Sequence, residues 1–312
     1  GFKNMKAVMY HYVRQFDPRY PHFRFLDIEN FKIQLDYFEQ NFGFVSSSEW
    51  INYIKNGVMP EVDGKVLLTF DDALKCQYEY VFPELTRRGL WGIFYVPIQP
   101  YITGKLLDVH RIHLLCGAFD GSDLFSTLKG LVSDEMIPDS KRQEFHEKTY
   151  SRQQNYTGVT EVKRMLNYFI DYAYQESIID KLASHFRYEF NPSEFYISRE
   201  NLKEMSDNGM IIGSHTVNHP VMSKLSKSDQ QIQIVDSFRY LENLGLTNTK
   251  TYCHPYGGFH TFDSNTVSLL NDHAIEFSFN VESREITAQD IIESTQYLPR
   301  FDCNEFRHGK AS

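Results

Sequence analysis

Short apolar runs rich in β-favouring residues alternate along this chain with segments carrying a helical apolar face, and that alternation constrains the fold most. Ala7-Val8-Met9-Tyr10, Phe44-Val45, Val66 to Phe70, Ile93 to Val96, Met210 to Gly213, Thr251 to Cys253, Glu276 to Phe279 and Tyr297 to Arg300 read as strands. Between them, Asp27 can cap a helix whose apolar face is Phe31, Leu35, Phe38 and Phe42. Ser46 and Glu49 have the spacing of a capping box for a helix ending near Gly57. Further helical segments fall at 74–88, 198–209, 228–244 and 264–273. Apolar strands separated by helices predict an α/β protein with a parallel sheet, open or closed into a barrel.

Residues 104–195 break this rhythm and read as mainly helical. Val162, Met165, Leu166, Phe169 and Ile170 make one helical stripe, and Ile178, Ile179, Leu182 and Phe186 another. The expectation is a single domain over 1–312, with 104–195 inserted as a helical hairpin that serves as a structural cap or a substrate-shaping lid.

The function classes narrow next. A net charge of −9 with no long Lys/Arg cluster argues against nucleic acid or an anionic membrane as partner. No apolar stretch approaches the ~20 residues of a membrane-spanning helix. The first ten residues run into a strand without the apolar core of a signal peptide, so the expectation is a cytoplasmic protein, with an exported form that has lost a leader as the alternative. Four scattered cysteines without C-x-x-C spacing read as reduced thiols. Aromatic residues reach 15%; they fill cores first, and they also suit clefts that bind sugar rings.

Two strings carry chemistry. Thr69-Phe70-Asp71-Asp72 closes one apolar run with two carboxylates, and His215-Thr216-Val217-Asn218-His219 follows another and is stopped by Pro220. Either string alone is weak, because Asp pairs often start turns and histidines four apart occur by chance. Both nevertheless fall just past predicted buried strands, where parallel α/β folds hold their chemistry. Together they point to one carboxylate and two imidazoles on a divalent metal, with a second carboxylate left to move a proton.

With these residues the chain resembles the polysaccharide deacetylases, the NodB-homology group or carbohydrate esterase family 4. That family carries T-F-D-D-G, H-[ST]-x-x-H and R-x-P-[YF] in this order. Here they read Thr69 to Ala73, His215 to His219 and Cys253-His254-Pro255-Tyr256. Met9-Tyr10-His11 and the Phe31–Phe44 stretch also look like the amino-terminal segment of several members. The resemblance implies a distorted (β/α)7 TIM-like barrel and a hydrolase that removes N-acetyl groups from an amino sugar. It implies Asp72, His215 and His219 as metal ligands, Asp71 as general base, and the backbone N–H of Tyr256 as oxyanion donor. The ligand set suits Zn²⁺ first, with Co²⁺, Ni²⁺ or Mn²⁺ as alternatives.

Three departures matter. Ala73 stands where the family has Gly, a change that costs only if the backbone needs positive φ. Cys253 stands where the third motif has Arg, and Arg300 is the candidate to supply that guanidinium from elsewhere. The late Leu-x-His motif that supplies the general acid has no clean match, which leaves His110 and His11 as candidates. The expected partner is an N-acetylated carbohydrate, in a polysaccharide, glycolipid or glycan precursor of surface-glycan biosynthesis. The rival readings are a hydrolase of a non-sugar amide or cyclic amide and a catalytically silent carbohydrate-binding member.

Overall fold

A computed structural model describes residues 4–61, 63–149 and 158–311. Among the described residues nine strands follow in chain order: β1 (Lys6–Tyr10), β2 (Val13–Arg14), β3 (Leu26–Asp27), β4 (Val66–Asp71), β5 (Ile93–Val96), β6 (Ile211–Ser214), β7 (Thr251–Cys253), β8 (Phe277–Phe279) and β9 (Phe301–Asp302). Seven of them form one sheet in the order β8-β7-β6-β5-β4-β1-β9, every pair parallel. The two-residue strands β2 and β3 pair separately.

The sheet curls back on itself through one segment. Leu298 bridges to Phe279 beside β8, with its N–H donating to the Ser278 carbonyl at 2.9 Å. Three residues on, Phe301 and Asp302 pair with Val8 and Met9 of β1. Residues 298–302 thus span from the last strand to the first, and the fold is the distorted (β/α)7 barrel expected for deacetylases. The predicted strand at 297–300 is displaced to 301–302, because Pro299 has no N–H to donate to a ladder.

The two faces of the strands are apolar for different reasons. Val8, Tyr10, Leu68, Phe70, Phe94 and Val96 pack outward under helices, and Phe70 lies stacked between Tyr10 and Phe94 at 5.1 and 4.7 Å. Ala7, Leu67, Ile93, Tyr95, Cys253, Phe277 and Phe279 form a second cluster, with Trp50 stacked on Phe279. Because side chains alternate with period two, Thr69 and Asp71 share the face of Leu67, the second of these. Gly213 is required there: a Cβ on it would sit 2.6 Å from the Tyr95 ring and 2.8 Å from Thr251 Cγ2. Tyr95 crosses at that point to bond the Thr251 hydroxyl at 2.8 Å.

The helices begin where their caps dictate. Asp27 accepts from Glu29 N–H, and Ser46 with Glu49 closes the predicted capping box. The predicted 74–88 helix runs from residue 75 to Arg88, with residues 77–81 widened into a π turn ahead of Phe82–Arg88. It follows the left-handed backbone of Asp72 and Ala73 and the bridge of Leu74 to Tyr196.

The chain divides into two compact units. The barrel unit holds 1–15, 25–105 and 193–312; the second holds 16–24 and 106–192. The second unit is helical, with its own core of Ile112, Leu115, Leu124, Leu128 and Phe145 joined to both predicted stripes. It draws in the Phe16–Arg24 stretch, where His22 N–H donates to Gly117 O at 2.9 Å and the Tyr20 and Tyr188 hydroxyls meet at 2.7 Å.

Candidate metal centre and catalytic carboxylate

The carboxyl end of β4 delivers Asp71 and Asp72 side by side, and a change of backbone conformation between them aims them differently. Asp71 ends the strand, while Asp72 has φ 83° and Ala73 φ 55°. The Ala73 departure therefore carries a cost, since the backbone there is left-handed and glycine would adopt it freely. Thr216, His219 and Tyr256 also have positive φ. Five of the eight such non-glycine residues described thus lie in the three motif segments, a clustering typical of functional sites.

Asp72, His215 and His219 converge. Asp72 Oδ1 lies 3.3 Å from His215 Nε2 and 3.7 Å from His219 Nε2. All three are buried, and one donor atom from each lies within 4.8 Å of the others. His215 Nδ1 donates to the Cys253 carbonyl at 2.9 Å, which leaves the Nε2 lone pair facing Asp72. Burial disfavours charge on His215, yet the negative groups around it outweigh burial and raise its proton affinity well above the ordinary histidine range.

A tetrahedral Zn²⁺ with ligands at 2.0–2.2 Å would hold them about 3.3 Å apart. The observed separations are close to that, so the donor set fits a divalent metal.

Asp71 is held on the other side. Arg300 Nη1 donates to Asp71 Oδ1 at 2.8 Å and Nη2 to Oδ2 at 3.0 Å. The guanidinium is itself fixed: Nε donates to the Asn280 carbonyl at 3.0 Å, Nη1 to Thr69 Oγ1 at 3.1 Å and Nη2 to Cys253 Sγ at 3.0 Å. Thr69 in turn donates to Val8 O at 2.9 Å. Burial alone would raise the Asp71 carboxyl, but Arg300, then His215 and His11, hold it below the usual carboxylate range. Burial pushes the Cys253 thiol up, so it stays protonated beside the cation.

Of the remaining candidates, His11 ends β1 and places Nε2 3.7 Å from Asp71 Oδ2, with the side chain 40% exposed. Tyr256 follows β7, half-exposed, its ring 4.6 Å from that of His219. His110 belongs to the second unit, buried on the Asp108–Ala118 helix beside His113. His254 is buried and stacked on Phe262 at 4.0 Å, with Nε2 donating to Gln296 O; burial lowers its pKa to about 4, so it is neutral.

Gln77 was not singled out from sequence. Fully buried, it donates to the Asp71 carbonyl at 2.7 Å and the His11 carbonyl at 3.1 Å, tying the two strand ends together. No periodicity marks such a residue. Its only sequence signal is a polar side chain within an otherwise apolar helical face.

Comparison with known proteins matches residues 173–278 to the polysaccharide deacetylase family model, across the His215–His219 string and the Cys253–Tyr256 turn. That match spans about a third of the chain, which over this stretch is similar to the polysaccharide deacetylase family. The fold is also that of solved deacetylases. PplD of Streptococcus pyogenes, described as a deacetylase in complex with acetate, superposes with TM-score 0.60 at 16% identity, covering 97% of this chain and 93% of that one. IcaB of Ammonifex degensii gives TM-score 0.53 at 18% identity, covering 96% and 91%. YxkH of Bacillus subtilis (strain 168) is 30% identical over 64 residues, so the match spans 20% of this chain and 23% of that protein. Among the described residues, no helix is long and apolar enough to cross a membrane.

Proposed function

We propose that this protein is a member of the polysaccharide deacetylase family and a metal-dependent N-deacetylase acting on an acetylated amino sugar of a surface polysaccharide or its precursor. One observation carries the reading: a His₂Asp donor set lies beside a second, separately held carboxylate at the same strand end. A module that only binds sugar has no use for both.

In this reading Asp72, His215 and His219 hold the metal. Bound there, a divalent metal supplies a Lewis acid and a water whose pKa is lowered towards ~7. Asp71 takes the proton of the attacking water. Arg300 keeps that carboxylate ionised and fixes its plane through two parallel bonds, at the expense of making it a weak base. The Tyr256 N–H, on a turn with fixed backbone, receives the developing oxyanion.

The departing amine needs a proton. His11 fits that role better than His110, since it stands exposed within reach of Asp71 and can exchange a proton with it. Zn²⁺ suits the ligand set best, with Co²⁺, Ni²⁺ and Mn²⁺ as substitutes.

The deciding experiment compares acetate release from N-acetylglucosamine oligosaccharides with turnover of cyclic ureides and imides by the same metal-loaded protein. Acetate release alone supports the proposal. Turnover of the ureides alone, or of neither class, overturns it.

A further inference from the structure

The backbone amides of the metal-ligand loop can be accounted for one by one. His215 N–H donates to Val96 O at 3.0 Å, a sheet bond. Thr216 N–H donates to Ser214 Oγ at 3.1 Å, and His219 N–H to Thr216 Oγ1 at 2.9 Å. The remaining two are served from outside the loop, by one residue. Val217 N–H and Asn218 N–H both donate to Gln233 Oε1, at 3.0 and 3.3 Å, while Gln233 Nε2 donates back to Asn218 Oδ1 at 2.7 Å.

Gln233 lies on the Lys227–Asn243 helix, one turn before Ser237. Ser237 donates to Ile234 O at 2.8 Å, so its oxygen accepts from Ser214 at 2.6 Å, and Ser214 Oγ accepts from Thr216 N–H. One helical face thus fastens the loop at both ends of its first turn. The loop carbonyls of Thr216 and Val217 accept from Ile98 and Gln99 on the opposite side.

The spacing of His215 and His219 depends on a loop whose backbone is left-handed at Thr216 and His219. Such a conformation persists only where its surroundings over-determine it. We infer that Gln233 is a positioning residue for the metal centre, setting the separation of the two imidazoles by clamping the backbone between them. Its side chain acts through the Val217 and Asn218 amides and the Asn218 side chain, not through a donor atom of the metal set. The inference rests on the reading that Asp72, His215 and His219 bind a divalent metal.

The test strips the full-length protein with a chelator and titrates it with Zn²⁺ against a chromophoric competitor. Val217 is half-buried and Asn218 exposed, so water can replace part of what is lost on truncation. Gln233→Ala is expected to weaken Zn²⁺ binding on the order of tenfold, the lower end of what partners of metal ligands contribute. Gln233→Glu should bind nearly as wild type, because its carboxylate accepts both amides and the Asn218 amide can turn to donate. Gln233→Met keeps the stem and removes the polar head, and it carries the test should the Ala variant fail to fold.

If Ala and Met bind Zn²⁺ as tightly as wild type, or Glu is weakened as much as they are, the positioning role is wrong. If wild type itself takes up no Zn²⁺, the metal reading fails, a result distinct from either.

Discussion

Arg300 grips Asp71 through two bonds of 2.8 and 3.0 Å, and the nitrogen that makes the second of them also meets the sulfur of Cys253, 47 residues earlier in the chain. The buried thiol at position 253 lies directly against that guanidinium. The segment that closes the barrel supplies the cation. Asp71 therefore keeps its counter-charge although the third motif lacks its arginine.

Asp71→Asn separates base from ligand. The amide keeps the shape and removes the proton acceptor, so kcat should fall by about 10²–10⁴ with metal content unchanged. Single-turnover kinetics with metal analysis checks both. Equal turnover would remove Asp71 from the mechanism.

Arg300→Lys tests the ion pair by pH. Lys offers one point charge in place of a fork. With Arg300 weakened, burial prevails and the folded pKa of Asp71 rises. The base is then protonated at higher pH, so the acid limb of kcat/KM should move upward while the rate at the plateau falls about tenfold or more. A lower rate with an unmoved limb would mean that Arg300 acts on something other than the ionisation of Asp71.

Ala73→Gly sets three terms against one another. Relief of left-handed backbone returns ~1–2 kcal/mol. Greater freedom of the unfolded chain costs ~0.4–1 kcal/mol, and loss of a buried methyl about 0.8 kcal/mol. The sum is near zero, so denaturant unfolding should place the variant within about 1 kcal/mol of wild type. A loss beyond about 2 kcal/mol would show that the methyl has a packing role outweighing the strain.

His254 makes stability depend on pH. Its folded pKa is lowered from 6.5 to about 4 by burial, so its contribution is complete above about 6.5 and is lost as pH falls towards 4. The full term is on the order of 3 kcal/mol. Chemical denaturation at pH 7.5 and 5 should show wild type losing stability more steeply than His254→Gln. Parallel losses would show that other groups govern the acid limb.

The two motif strings were legible because side chains of ligand type sit at the ends of apolar strands, a pattern that one sequence displays. The caps at Asp27 and Ser46 were legible for the same local reason. Other features depend on contacts distant in sequence. That Arg300 reaches Asp71 follows only once residues 298–302 bridge β8 to β1. Gln77 and Gln233 act through side-chain bonds to backbone, which leave no periodic trace. The helix read at 74–88 forms from residue 75, but the π turn at 77–81 within it leaves no mark in the apolar pattern.

The most direct test of the account is acetate release from an N-acetylglucosamine oligosaccharide by the wild-type protein, measured as purified, after chelation and after Zn²⁺ is returned. Release that is lost on chelation and recovered with Zn²⁺ is the predicted result. Release that survives complete removal of metal, or none under any of the three conditions, would contradict it.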